Sequence, residues 1–343
     1  MARLFVADVR AHQQRWAITP AGEAQLRACT PAGWAVRVVD APTLSDGDGG
    51  IAPSAESLAA IADAEAYFGF GISRPLFLAA KRLRWVHSAA AGVGGLLFPE
   101  LIASDVIVTN SAGIHAIPIA EQALAGILAL LRGVDLAREL QRAHSWSREA
   151  FLGPSSPMRE LDGLRALILG AGGLGVALGA RLSALGVRCV GSRRRVERGT
   201  PPGLERVVGP GEWRALLPQT DLLAICAPNT AQTRSMVGAA ELDRLPRGAI
   251  VVNVARGALL DEGALAARVK SGALRGAVLD VFAQEPLPAE SPLWDLPSII
   301  MTPHVSGVTD RFWEREMALV EENWLAYDRG LPLRNVVDRQ AGY

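Results

Sequence analysis

Cysteine is scarce in this chain. Cys29, Cys189 and Cys226 are far apart and form no CxxC pair. Such a set excludes a disulfide framework and a thiolate zinc site, and it points to the reducing cytoplasm. Lysine is confined to Lys81 and Lys270, which narrows the scope for Schiff-base chemistry. Net charge is missing as well: 35 basic residues against 35 acidic ones give a formal charge of +0. Neither nucleic acid nor an anionic membrane is therefore expected as a partner. The longest uncharged apolar run lies between Arg165 and Arg181 and is broken by glycines; it falls short of the roughly 20 residues that a membrane span needs. Asp8 arrives before any apolar signal-peptide core develops, so none is expected. The chain has no P-loop lysine pattern, no GxSxG elbow and no HExxH pair, and His12, His87, His115 and His144 lack metal-ligand spacing. Kinase, serine-hydrolase and zinc-enzyme chemistries have no anchor, and no metal is expected.

What is present is a long, apolar chain: 343 residues, 50% hydrophobic, which suits two domains better than one core. Short apolar runs at 4–9, 34–39, 66–70, 84–87 and 106–109 have the look of buried strands. Segments with helical spacing, such as 54–64, separate them, and that alternation implies a parallel sheet covered on both faces. The Asp- and Gly-rich stretch 42–53 is expected to be a loop. One long helix is expected over 117–143; its first half is apolar apart from Glu121 and Gln122, as in a buried helix. A connection follows at 145–157, carrying Gly153, Pro154, Ser155, Ser156 and Pro157. A second strand–helix series runs from Leu164 to about Val281, and a last helix is expected over 309–328.

The second series opens on an apolar strand, 164–169, followed by Gly170-Ala171-Gly172-Gly173-Leu174-Gly175, a helical stretch to Leu185 and a new strand at 187–190. In this GxGxxG arrangement Gly170 permits the tight turn, Gly172 lets backbone approach a pyrophosphate, and Gly175 lets helix and strand pack closely. The helix start then offers N–H groups and a positive dipole end to phosphates. A glycine-rich turn alone carries little weight, but the strand before it and the helix and strand after it favour dinucleotide binding. The next strand ends in Ser192-Arg193-Arg194-Arg195. An NAD site wants a carboxylate there for the ribose 2′-OH, about 20 residues into the unit. Arginines suit a 2′-phosphate instead, so NADP is favoured, with NAD as a lesser cofactor.

Downstream, Asn253-Val254-Ala255-Arg256-Gly257 with Leu259-Leu260-Asp261-Glu262, then Leu279-Asp280-Val281-Phe282 through Glu285-Pro286, then Thr302-Pro303-His304-Val305-Ser306-Gly307 resemble three signatures of the D-isomer-specific 2-hydroxyacid dehydrogenase family, of the NADP-type glyoxylate/hydroxypyruvate reductase kind. Asn110-Ser111-Ala112-Gly113 and the Glu121 helix also match. The motifs come in the family's order and cover nearly the whole chain. The resemblance implies Arg256, Glu285 and His304 as catalytic residues. It also implies Val254, Ala255, Asp280 and Gly307 as cofactor contacts, with Asp280 on the nicotinamide carboxamide, and Ala227 and Pro228 along the adenosine. For the substrate it implies backbone N–H groups at Ala91, Gly92 and Val93, beside Arg256 and His304. Gly94 departs from the Asp or Asn that many members carry in that loop. The three catalytic residue types fit the chemistry. Hydride addition to a ketone builds negative charge on oxygen, which His304 quenches by donating a proton. Glu285 fixes the ring, and Arg256 binds a carboxylate and polarises the carbonyl. Each has a plainer reading, as an exposed arginine, a solvated loop carboxylate and a structural histidine; the joint occurrence favours the site. His87, Trp146 and Trp294 are open between pocket lining and ordinary packing.

The expected architecture is α/β: two doubly wound parallel-sheet domains, a Rossmann cofactor domain (112–303) inserted into a flavodoxin-like substrate domain (1–111 and 304–343). The expected activity is reduction of a small 2-oxo acid to a D-2-hydroxy acid by a cytoplasmic homodimer. Two alternatives stay open: a formate-dehydrogenase-like enzyme, whose branch typically has glutamine where Glu285 stands, and a corepressor-like, cofactor-gated binding protein on the same scaffold.

Overall fold

A computed structural model describes residues 2–45, 50–153 and 156–342. The parts of the expected loop at 46–49, and Pro154 and Ser155 of the expected connection, lie outside the described residues. The chain divides into two compact units, 1–115 with 308–343 and 116–307. The joints expected from sequence were 111/112 and 303/304.

In the first unit the strands are β1 (Arg3–Asp8), β2 (Trp34–Val38), β3 (Leu44–Ser45), β4 (Ile51–Ala52), β5 (Ala66–Gly69), β6 (Trp85–Ser88) and β7 (Ile107–Asn110). Five of them form a parallel sheet in the order β2-β1-β5-β6-β7. This is the flavodoxin-like order once the small antiparallel β3–β4 pair is set aside. That pair sits in the stretch expected to be a loop. β5 and β6 are buried throughout, as a sheet covered on both faces requires. Alternate residues feed separate cores. Phe5, Ala7, Phe68 and Trp85 meet Trp313, Val320 and Trp324 of the C-terminal helix Phe312–Asp328. Val6, Tyr67, Val86 and Val108 meet Ile61 and Leu76 on the other face. The period of two along a strand makes this division.

The second unit adds β8 (Arg165–Leu169), β9 (Arg188–Ser192), β10 (Arg206–Val208), β11 (Leu222–Ile225), β12 (Ile250–Asn253), β13 (Gly276–Leu279) and β14 (Ile299–Met301). They form a seven-stranded parallel sheet, β10-β9-β8-β11-β12-β13-β14. The chain winds one way from β8 to β10, then crosses to β11 and winds the other way. The switch point therefore falls between β8 and β11, where an open α/β sheet binds its ligand.

The long helix expected over 117–143 is two helices, Ala116–Leu131 and Val134–Arg142, bent by 70°. Gly133 between them takes φ 64°, which only glycine adopts without strain. The first helix lies on β13 so closely that a Cβ on Gly126 would meet Val278 at 2.5 Å, so a larger residue there would cost about 1–3 kcal/mol. Among the described residues no single helix is long and apolar enough to cross a membrane; this bent pair passes that test on length and composition alone. The expected connection at 145–157 holds a helical turn, Glu149–Leu152.

Candidate active site

In the second unit the motifs line up along one edge of the sheet, each at the carboxyl end of its strand. β8 runs into the glycine turn. Gly170 takes φ 105°, and a Cβ there would lie 2.5 Å from the Ala227 nitrogen and 2.6 Å from the Cys226 carbonyl carbon. Only glycine fits where β8 and β11 separate. A Cβ on Gly175 would lie 2.1 Å from the Gly170 oxygen, so the helix start is drawn against the strand end. A Cβ on Gly172, the N-cap of the helix Gly173–Ala184, would meet nothing within 4 Å. The turn thus presents open backbone at a helix N-terminus whose first N–H groups lack intrahelical acceptors. These residues fit a pyrophosphate.

β12, β13 and β14 are neighbours, and they deliver Arg256, Glu285 and His304 in that order. His304 Nδ1 stands 2.8 Å from Glu285 Oε2, with the two side chains 43% and 36% exposed. Glu285 Oε1 accepts from the Phe282 N–H at 2.9 Å, so the carboxylate is held by its own turn while it holds the ring. Among the described residues nothing meets His304 Nε2. His304 takes φ 53°, a left-handed conformation that costs a non-glycine residue about 1–2 kcal/mol. Its N–H donates to the Asp280 carbonyl at 2.8 Å. The buried Asp280 carboxylate accepts from Thr302 Oγ1 at 2.5 Å, from Val305 N and Ser306 N at 3.0 Å, and from Ser306 Oγ. Four donors fill a carboxylate's acceptor sites. These bonds give Asp280 a structural part as well, fixing the segment that carries His304 in its strained backbone.

Arg256 follows β12, and its Nη1 donates to the Ala255 carbonyl at 2.7 Å. A Cβ on the next residue, Gly257, would lie 1.8 Å from the Phe282 carbonyl carbon, so the Arg256 turn rests directly on the main chain that leads to Glu285. Asn253 steadies the same turn, donating to the Arg256 carbonyl at 3.0 Å and accepting from Ala255 N at 3.2 Å. Glu262 was quoted in a motif but given no site role from sequence. It accepts from Ala283 N at 2.6 Å, bracing the Glu285 turn from the helix Glu262–Lys270. Burial pushes the Glu262 carboxyl above its ordinary value against the Ala283 N–H, and the charges of Glu285 and Asp261 add to the push. Its signal in the sequence was its place just after the N-cap Asp261.

The profile of the D-isomer specific 2-hydroxyacid dehydrogenases, NAD binding domain, matches residues 124–306. A glyoxylate/hydroxypyruvate reductase A of Salmonella heidelberg is 35% identical over 275 residues, 78% of this chain and 84% of its own. The chain belongs to the D-isomer specific 2-hydroxyacid dehydrogenase family. Among solved structures it resembles a D-isomer specific 2-hydroxyacid dehydrogenase from Xanthobacter autotrophicus in complex with NADPH and MES, with 27% identity, TM-score 0.76 and 100% of both chains covered. It also resembles an NADPH-dependent glyoxylate/hydroxypyruvate reductase from Sinorhizobium meliloti in complex with NADP and sulfate, with 25% identity, TM-score 0.76, and 99% and 100% covered.

Other residues implied by this family membership are placed as follows. Ser192 ends β9 and is buried. Arg193 beside it donates to the Gly199 carbonyl, while its Nε is buried without a partner; Arg194 is exposed. Ala227, Val254 and Ala255 are buried, and Pro228 is exposed. Gly307 closes the segment held by Asp280. Trp146 is 93% exposed, and Trp294 is exposed with its Nε1 donating to the Pro288 carbonyl. His87 lines no open surface: it is fully buried between Thr109 and Glu316. In the first unit, β6 leads into Ala91, Gly92, Val93 and Gly94. The carbonyls of Ser88, Ala90 and Ala91 accept from Ser111 Oγ, Ser111 N and Asn110 Nδ2. Among the described residues no acceptor meets the N–H groups of 91–94. Successive free N–H groups of this kind suit an anion.

Proposed function

We propose that this family member reduces a small 2-oxo acid to the D-2-hydroxy acid, with NADPH preferred over NADH. The observation that carries the proposal is the half-exposed His304–Glu285 pair at 2.8 Å, on the same sheet edge as a glycine turn built for pyrophosphate. The names of the similar proteins support it: one is a glyoxylate/hydroxypyruvate reductase and another is NADPH-dependent.

Gly170, Gly172, Gly173, Leu174 and Gly175 would hold the pyrophosphate. Ser192, Arg193 and Arg194 would take the 2′-phosphate; the partnerless Nε of Arg193 and the lack of a carboxylate at the end of β9 favour this. Ala227 and Pro228 would lie along the adenosine, and Val254, Ala255 and Gly307 around the nicotinamide. The cofactor, when bound, supplies the hydride. His304 Nε2 donates the proton that the substrate oxygen needs as its carbon is reduced. Glu285 keeps Nδ1 protonated, so the ring presents Nε2 to the substrate in a fixed orientation. The Arg256 guanidinium holds the substrate carboxylate and polarises the carbonyl. In the first unit the N–H groups of Ala91, Gly92 and Val93 would suit a carboxylate, and glycine at 94 leaves the backbone donors in place.

We also place the enzyme in the cytoplasm, as a homodimer. Unpaired cysteines suit a reducing compartment. Ile117, Val134, Trp146 and Leu152 of the second unit are exposed apolar residues of the kind that a second copy covers; light scattering on the purified protein measures the assembly. The activity is tested by following nicotinamide absorbance with glyoxylate, hydroxypyruvate, pyruvate and a bulkier 2-oxo acid, each with NADPH and with NADH. Turnover of at least one acid with a lower KM for NADPH is expected. Tight NADPH binding without turnover of any acid would replace the enzyme reading with the binding-protein one.

A further inference from the structure

Beneath the segment 91–94 the first unit holds a sealed polar chain that the proposed chemistry does not use. Trp85 Nε1 donates to Thr109 Oγ1 at 2.9 Å, and Thr109 Oγ1 lies 2.7 Å from His87 Nδ1. His87 Nε2 lies 3.1 Å from Glu316 Oε1. Ser111 Oγ lies 2.8 Å from Glu316 Oε2 and 2.9 Å from the Ser88 carbonyl oxygen. All of these side chains are fully buried. Glu316 comes from the C-terminal helix, 229 residues from His87 and 205 from Ser111. Among the described residues no arginine or lysine pairs with this carboxyl group; buried so, it is an expensive way to fill space, and an apolar side chain would do that with less penalty. What it provides is direction. It fixes Ser111, and Ser111 holds the Ser88 and Ala90 carbonyls through its Oγ and N. Turning those carbonyls inward leaves the N–H groups of 91–94 without internal acceptors.

We propose that Glu316 is a positioning residue: through Ser111 and His87 it fixes the backbone of 88–94 so that its N–H groups stand ready for a carboxylate. Only the kinetic arm of the test rests on the reductase reading. Glutamine at 316 reproduces the chain of bonds, since Oε1 accepts from His87 and the amide donates to Ser111 Oγ, leaving the Ser111 hydroxyl for the Ser88 carbonyl. Leucine fills the same space and breaks the chain.

The experiment compares wild type, Glu316→Gln, Glu316→Leu and Ser111→Ala. It measures hydrogen–deuterium exchange of peptides spanning 88–94 without ligand, and KM for glyoxylate and for NADPH. Losing one buried hydrogen bond is worth about tenfold. Glu316→Leu is expected to speed exchange at 88–94 and raise the glyoxylate KM by about that factor, with the NADPH KM unmoved. Ser111→Ala follows with a smaller effect, and Glu316→Gln matches wild type. Unchanged exchange in both Glu316→Leu and Ser111→Ala overturns the proposal, as does a Glu316→Gln enzyme as impaired as Glu316→Leu. If Glu316→Leu does not fold, Ser111→Ala decides. If wild type reduces no 2-oxo acid, the reductase reading fails while the exchange data still settle the positioning role.

Discussion

His304 and Glu285 in the second unit stand 2.8 Å apart with 43% and 36% of their side chains exposed; His87 and Glu316 in the first stand 3.1 Å apart with none. The chemical pair is the same, and the surroundings assign it different work. The first pair has one ring nitrogen engaged and the other open, so it is able to exchange a proton with a small molecule. In the second, both ring nitrogens face protein partners, so its hydrogen bonds serve geometry. A residue type alone therefore does not locate chemistry; an unpartnered atom beside an orienting partner does.

The hardest test of the comparison removes both imidazoles in turn. His304→Ala is expected to lower turnover by about 10²–10⁴-fold, with NADPH affinity and melting temperature close to wild type, by steady-state kinetics, fluorescence titration and calorimetry. Turnover within tenfold of wild type would erase the contrast. Arg193 stands between the two cases, with one nitrogen bonded to Gly199 and another buried without a partner. Arg193→Asp exchanges a charge-assisted bond for repulsion. It should raise the NADPH KM by about 10–100-fold and shift preference toward NADH; a variant that still favours NADPH refutes the 2′-phosphate role. The sealed pair answers through stability. His87→Ala leaves a cavity and stranded polar atoms, so its melting temperature should fall by about 5 °C or more, whereas that of His304→Ala should not. Equal melting temperatures for the two variants would show that the sealed pair is no strut.

The smallest effect concerns Glu262. Its carboxyl is held above the ordinary value, chiefly by burial, so ionisation disfavours the folded state above that pKa, and protonation relieves it as pH falls. Glu262→Gln keeps an acceptor for Ala283 N and removes the charge. It should melt about 1–2 °C higher than wild type at pH near 8, with the gap closing near pH 4. A gap that widens on acidification contradicts the sign.

Legibility in the sequence followed separation along the chain. The open pair is only 19 residues apart, and its members sit in two motifs whose resemblance to a known family named both residues; residue chemistry alone left each with a plainer reading. The glycine turn was legible because its steric demands are local: the positive φ of Gly170 and the close approach at Gly175 are the ones its spacing implied, while the contact of Gly170 with 226–227 was not. The sealed pair joins β6 to the last helix across 229 residues, and no periodicity announces such a partnership; His87 was left open between pocket and packing. The break at Gly133 was missed because the apolar pattern continues through it, while the backbone there turns left-handed. For Asp280 the resemblance implied a cofactor contact and said nothing of structure. Its four donors come from a segment that follows it by 22 to 26 residues, and only folding brings that segment back.

Gly257 carries a consequence for anyone who redesigns this protein. What a Cβ there would strike is the main chain at Phe282 and Ala283, and no exchange of a neighbouring side chain makes room for it. Variation can be spread over the flanking positions, but a library that randomises 257 will return glycine or broken clones, because the turns that carry Arg256 and Glu285 share a single wall there.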